Sequence, residues 1–417
     1  MAVLQGRVQG RVIEVWRQGS DWELQLLVGE QLQLKTLPSA FGTPRAGDWL
    51  RLELDPGSGQ VVGIARLGGL EGGSWPDDGG DALRWCRPGE PVSRMALLRK
   101  RQLAVRAVRE WLFQEGFLEI PSPLLVRGTT PDRAIDSIAV DDRVLVTSTE
   151  YQLKRLEVGG FEKLYSLTQN FRAGEVSCRH NPEFTMLEWA RAFESLDAIE
   201  RDAEAMVRAA FRAVHQAGRS VLHWAGRPID LDGAPWERLT VQEGLVQHLG
   251  LEIAPPFELD AMRREVKRRS FEVPPAFLAD RHLLISFLLD RLSDCLGSPV
   301  PTFLREWPAF MTSSAALKAG ASQVAERSEL FVAGLELADG FPSLRGAVNQ
   351  AALFEDAQQG RVEEGKARVD LDERYLESLR LGLPPGAGMA LGIDRLAMIL
   401  TEQEEIRQVL PFAWDEL

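Results

Sequence analysis

The 417-residue chain is poor in cysteine: Cys86, Cys178 and Cys295 stand far apart and form no Cys-x-x-Cys pair. That excludes a disulfide framework or a cysteine-based zinc site and fits a reducing, cytoplasmic setting. There are only five histidines, none of them clustered. No apolar run approaches the roughly 18 residues that a membrane span needs, so no membrane partner is expected. Leu283–Leu289 is too short and reads as a buried helix. The opening segment, MAVLQGRVQGRV, lacks an apolar core of signal-peptide length. Positive charge is also in deficit. The net charge of −13 argues against a surface coated for nucleic acid, while leaving room for a local basic groove. Internal repeats and low-complexity tracts are absent.

What is present is an ordinary globular composition, 45% hydrophobic and 26% charged, long enough for a large core and two or three domains. Residues 1–67 read as β structure. Trp22, Leu24, Leu26 and Val28 alternate with Glu23, Gln25 and Leu27, and Leu50, Leu52 and Leu54 alternate with Arg51 and Glu53. Five short strands predict a small barrel, of the oligonucleotide-binding (OB) kind or a generic one. Residues 68–93, rich in Gly, Pro, Asp and Ser, read as a linker. A helix is predicted over about 94–115, ending at Gly116, and another over 197–217. Beyond residue 94 helices and strands mix without βαβ alternation, so the fold class expected is α+β over 94–417.

Three blocks carry chemistry. In YSLTQNFRAGEVSCRHNPEFTMLEWARAF, Tyr165–Phe193, a strand leads to Arg172, a polar loop follows, and a second strand begins near Pro182. An arginine on such a hairpin can grip phosphate or carboxylate with two bonds, and Glu175, Arg179 and His180 are placed to meet a nucleotide. In GAGMALGIDRLAMIL, Gly386–Leu400, a glycine-rich strand feeds a helix bearing Asp394 and Arg395. Between them LFVAGLELADGF, Leu330–Phe341, reads as a strand with Glu336 and a turn at Asp339-Gly340. A carboxylate there needs a cation or a metal.

These blocks resemble the class II aminoacyl-tRNA synthetases of the lysyl branch, and most of all the elongation factor P lysine ligases. HNPEFTMLEW (His180–Trp189), TSTEYQLKRL (Thr147–Leu156), LELADGF (Leu335–Phe341) and ALGIDRL (Ala390–Leu396) carry the resemblance. GFLEIPSPLL (Gly116–Leu125) is similar to the first motif of that class, with Pro123 as its proline. The resemblance covers roughly 94–417, more weakly around 218–300, and implies an antiparallel sheet flanked by helices, a homodimer, and a reaction in which ATP adenylates an amino acid. It further implies that Arg172 holds the α-phosphate and the substrate carboxylate, and Arg395 the far end of a bent ATP. Phe184 would stack on adenine. Ala173, Gly174, Glu175, His180, Asn181, Glu336, Leu337 and Gly392 would complete the ATP site, with Glu336 also a ligand of Mg2+. Ser148, Thr149 and Glu150 would cradle the amino group. Such chemistry rests on positioning and charge neutralisation.

The chain also departs from these enzymes. Where lysine-type members have tyrosine after the Glu-Trp pair, this chain has Ala190. Where they have glutamate two residues after the Gly-Phe turn, it has Ser343. Both lost groups read a basic substrate or its metal in the family. The expectation is a pocket that does not select lysine in the usual way, for a substrate that is less basic, larger on the Ala190 side, or absent. Ala390 matches the elongation factor P branch, whereas the tRNA-charging branch usually has glycine. The elongation factor P ligases usually lack an N-terminal barrel, whereas lysyl-tRNA synthetases have a longer one that reads the anticodon. In this chain the N-terminal Trp16, Trp22 and Trp49, with Arg7, Arg11, Arg17, Arg45 and Arg51, suit single-stranded RNA, and the region's acidic residues suit a structural or docking role. Three readings follow: a ligase passing an amino acid to a protein lysine, a lysyl-type tRNA synthetase, or a non-catalytic paralogue that binds ATP or an amino acid.

Overall fold

The computed structural model describes residues 6–29, 31–69, 93–215, 221–312 and 314–417. Most of the expected linker, residues 70–92, lies outside them. The chain divides into two compact units, Met1–Arg99 and Lys100–Leu417.

The first unit holds five antiparallel strands: β1 (Arg7–Gln18), β2 (Asp21–Val28), β3 (Gln31–Leu37), β4 (Trp49–Leu54) and β5 (Val61–Gly68). They pair in the order β3-β2-β1-β4-β5, and the two edges, β3 and β5, approach each other. That is an OB-like barrel. The alternation read from the sequence puts Val12, Leu24, Leu26, Leu37, Leu50, Leu52 and Val61 into its core. Trp16 and Trp49 remain exposed, with the Arg11 guanidinium 5.7 Å from the Trp49 ring.

The second unit is a mixed α+β structure. Its elements are α1 (Arg94–Gln114, of which Lys100 onward belongs here), β6 (Leu118–Glu119), α2 (Glu150–Val158), β7 (Lys163–Phe171), β8 (Glu183–Ala192) and α3 (Leu196–Val214). Then come β9 (Glu237–Thr240), α4 (Val241–Leu249), α5 (Leu259–Arg268), α6 (Arg281–Ser293), β10 (Thr302–Pro308), β11 (Ala321–Val332), β12 (Leu335–Pro342), α7 (Ala347–Glu363), α8 (Glu373–Leu381), β13 (Gly386–Gly392) and α9 (Ile393–Thr401). The main sheet runs β9-β10-β11-β12-β13-β8-β7-β6. Its six inner strands are antiparallel, and one short parallel strand closes each edge.

Because side chains alternate along a strand, each central strand presents two different faces. Leu187, Trp189, Met389 and Leu391 join Ile199, Met206 and Val207 of α3 and Leu396 and Ile399 of α9 in the largest core cluster. Glu188, Ala190, Gly388 and Ala390 line a cavity on the other face. Among the helical expectations, Leu283–Leu289 lies within α6, whose Leu284, Ile285, Leu288 and Leu289 are buried. Helix α3 starts at Leu196 and ends at Val214, three residues earlier than expected. Residues 216–220 fall outside the description.

One expectation is corrected. The β11–β12 turn is at Ala333-Gly334, not at Asp339-Gly340. Both turn residues have positive φ, 51° and 85°, as a tight two-residue hairpin requires. Asp339 and Gly340 lie inside β12, paired with Ala390 and Met389 of β13. Gly340 is needed there for closeness, not for turning: a Cβ at 340 would sit 2.7 Å from Met389 side-chain atoms.

Candidate active site

The cavity over the sheet has a volume of about 510 Å3. Cross-strand pairing sets its floor in two rows. One runs Glu188, Ala390, Asp339 across β8, β13 and β12. The next runs Ala190, Gly388, Phe341.

At one end the β7–β8 connection and the start of α9 bring cations together. Arg172 lies with its guanidinium carbon 5.1 Å from the Phe184 ring centre and its Nη1 3.7 Å from the Glu175 carboxylate. Its Nε is buried without a hydrogen-bond partner. Arg395 donates from Nη1 to the Glu336 carbonyl at 2.6 Å and pairs with its carboxylate at 3.4 Å. From Nη2 it meets His180 Nε2 at 2.7 Å. An arginine can only donate, so Nε2 is the acceptor, and the imidazole proton sits on Nδ1 and is given to Ser177 Oγ at 2.8 Å. Burial, with Arg395 next to it, holds the His180 pKa below its usual value, which keeps the ring neutral. Burial raises the Glu336 pKa, but Arg395, Arg327 and Arg172 outweigh it and hold the carboxylate below its usual range.

Beneath this end lies a support the sequence did not reveal. Buried Asp394 accepts from Arg101 of α1 at 2.7 Å and from the Thr185 backbone N–H of β8 at 2.7 Å. One carboxylate thereby ties α1, β8 and the first turn of α9 together. Arg327 does the same for the β11–β12 side. It pairs with Glu329 at 2.6 Å and with Asp339 at 2.9 Å, its guanidinium 4.7 Å from the Trp307 ring. Burial pushes the Glu329 pKa well up, and Arg327 opposes it.

At the other end stand α2, Ala190 and Ser343. The Lys154 ammonium pairs with Glu150 one turn earlier and lies 5.3 Å from the Phe341 ring centre. Glu157, one further turn on, also lines the cavity.

The expected site residues divide in two. Arg172, Glu175, His180, Asn181, Phe184, Glu336, Leu337, Gly392, Arg395, Ser148, Glu150, Ala190, Ser343 and Ala390 all line this one cavity. Ala173, Gly174 and Thr149 do not. Thr149 is fully buried, and its hydroxyl and N–H, with the Ser148 hydroxyl, donate to the Glu188 carboxylate. The Asn181 amide is also engaged, donating to the Glu183 carbonyl at 2.6 Å and accepting from the Trp414 N–H at 3.0 Å. Residues of the cavity or its support that the sequence reading did not single out are Arg101, Glu188, Arg327, Glu157 and Lys154. The cation that a strand carboxylate at 336 calls for is Arg395, itself in a motif block.

The sequence matches the family described as tRNA synthetases class II (D, K and N) over residues 90–416. A lysine–tRNA ligase from Synechococcus sp. (strain CC9902) is 35% identical over 329 residues, 77% of this chain and 64% of the relative. One from Xanthomonas oryzae pv. oryzae (strain MAFF 311018) is 34% identical over 76% of this chain and 62% of the relative. One from Magnetococcus marinus is 30% identical over 76% and 63%. The match therefore spans just under two thirds of the length of these relatives. With this sheet, these cations and this sequence match, the chain belongs to the class II tRNA synthetase (D, K and N) family.

Proposed function

We propose that the protein joins an amino acid to ATP as an aminoacyl adenylate and passes the aminoacyl group to a protein lysine of the elongation factor P kind. The observation that carries the first step is the convergence of Arg172, Arg395 and Glu336 on one cavity beside a neutral His180. A carboxylate oxygen of the amino acid attacks the α-phosphorus; that P–O bond forms as the bond to pyrophosphate breaks. Arg172 holds the α-phosphate and the attacking carboxylate, its buried unpartnered Nε having a donor to spare. Arg395, steered by His180 and the Glu336 carbonyl, holds the far phosphates, and Phe184 offers a face to adenine. No group of three His, Cys, Asp or Glu poised for a metal exists among the described residues. That suits magnesium, which takes one or two carboxylates, here Glu336, and its other ligands from phosphates and water. Bound there, it supplies further charge neutralisation.

Glu150 and Ser148 meet the substrate amino group, while Thr149 acts through Glu188. Ala390 supports the protein acceptor, as in the elongation factor P branch. The second reading, transfer to tRNA, is supported by the OB-like barrel and by the lysine–tRNA ligase relatives. In either reading the protein acts as a homodimer.

The test is ATP–pyrophosphate exchange with each standard amino acid and β-lysine, followed by transfer of the labelled amino acid to tRNA or to elongation factor P. Exchange with transfer to protein alone is expected. Transfer to tRNA alone overturns the acceptor. Absence of exchange with every amino acid overturns adenylation and leaves a non-catalytic paralogue.

A further inference from the structure

The amino-acid end of the cavity has an unbalanced charge. On α2, Glu150, Lys154 and Glu157 follow one another at successive turns, and all three line the cavity. Lys154 is spent on Glu150. The next cation along the helix, Arg155, is turned to Asp372, 3.8 Å away. Glu157 is 4% exposed, and its buried Oε2 has no hydrogen-bond partner. Two carboxylates thus share one ammonium, and a buried carboxylate without its own partner is costly.

The space around Glu157 points to what completes it. Lys154, one turn before it, lies over Phe341. Phe341 is cross-strand to Gly388, and Gly388 to Ala190. A Cβ on Gly388 would meet the Trp189 carbonyl at 2.9 Å and the Ala190 Cβ at 3.5 Å, so beside Phe341 the floor narrows to two small residues. Ser343 lines the same cavity, its N–H held by the Gly386 carbonyl at 3.1 Å. The sheet carboxylates nearest this row are already engaged, Glu188 by Ser148 and Thr149 and Asp339 by Arg327, while the helix above offers a carboxylate oxygen without a partner.

We propose that Glu157 recognises the side chain of a basic amino acid, its free carboxylate oxygen pairing with the distal cation that enters over Ala190. Glu157 thereby takes the place of the groups that residues 190 and 343 lack. This rests on the reading of the cavity as an amino-acid site. Burial raises the Glu157 pKa to about 7, against the pull of Lys154 and with Glu150 adding to the rise; Tyr375 of α8 is the other titratable group that it influences. A cation arriving there favours the ionised carboxyl and so releases protons near neutral pH.

The experiment is calorimetric binding of lysine, β-lysine, ornithine and arginine, with norleucine and glutamine as uncharged controls. It uses the full chain with ATP at pH 7, in two buffers of different ionisation enthalpy. The expected result is that a basic amino acid binds and releases protons. Glu157→Gln then weakens it about 10–100-fold, abolishes the proton release and leaves ATP binding unchanged. Glutamine keeps the shape and removes a buried charge, so the variant folds, as its melting temperature will show. Equal binding by E157Q, tighter binding of an uncharged amino acid, or no binding of any basic one overturns the assignment. Pyrophosphate exchange is scored separately. Binding without exchange removes adenylation and keeps Glu157; exchange with an uncharged amino acid does the reverse.

Discussion

The two ends of the cavity are built in opposite ways. At the end proposed for phosphates Arg395 is held by Glu336 and His180, and Asp394 by Arg101 and Thr185. At the end proposed for the amino acid Glu157 is buried with an unpartnered oxygen, and the floor includes Ala190 and Gly388. The first end is preorganised for one charge pattern, which is what lowers a barrier. The second leaves its electrostatics to be completed by the ligand, which is what makes a choice among ligands.

The comparison can be broken first at the support of the Arg395 end. Asp394→Ala leaves half-buried Arg101 with the Thr185 hydroxyl alone and the Thr185 N–H without its acceptor, and is expected to destabilise the fold by about 3 kcal/mol. Denaturant unfolding would read this as a lower midpoint, and an unchanged midpoint would mean that this end has no foundation at Asp394. Arg395→Ala is expected to lower kcat for pyrophosphate exchange about 10²–10³-fold with little change in the amino-acid KM. A change confined to KM would erase the distinction between the ends.

Glu157→Gln tests the other end through stability. Its folded pKa is raised, so the carboxyl favours folding most below the unfolded value of 4.5. That contribution is lost as pH rises through about 7. E157Q should therefore match the wild type below pH 4.5 and exceed it above pH 7 by about 2–3 kcal/mol. Melting curves at pH 4 and pH 8 supply both arms. Gly340→Ala is the smallest effect, about 1–3 kcal/mol of overpacking against Met389, with the cavity chemistry retained. No loss would reopen the placement of Asp339-Gly340 inside a strand.

The same contrast governs what could be read from the sequence. The barrel was legible because one buried face gives a strict period of two, as in Leu50 and Leu52. The gathering of Arg172, Glu336 and Arg395 at one cavity was legible because these residues sit in long motif blocks. The hairpin turn was misplaced because Asp-Gly is the stronger local turn signal, and cross-strand packing of Gly340 on Met389 overrode it. Asp394 stood in plain view, but its partner Arg101 is 293 residues away. Nor does anything local mark Glu157 as buried. Its neighbours Leu156 and Val158 give no cue, and only the packing of α2 over the sheet brings it to the cavity.

The row of small groups from Ala190 to Gly388 has a consequence for the history of such a protein. When the floor beneath the substrate is nearly featureless, choice of substrate passes to side chains on a helix, which can be exchanged singly without shifting any strand register. On the proposed function, one exchange on α2 would change the substrate and leave the Arg395–Glu336 end of the cavity as it is.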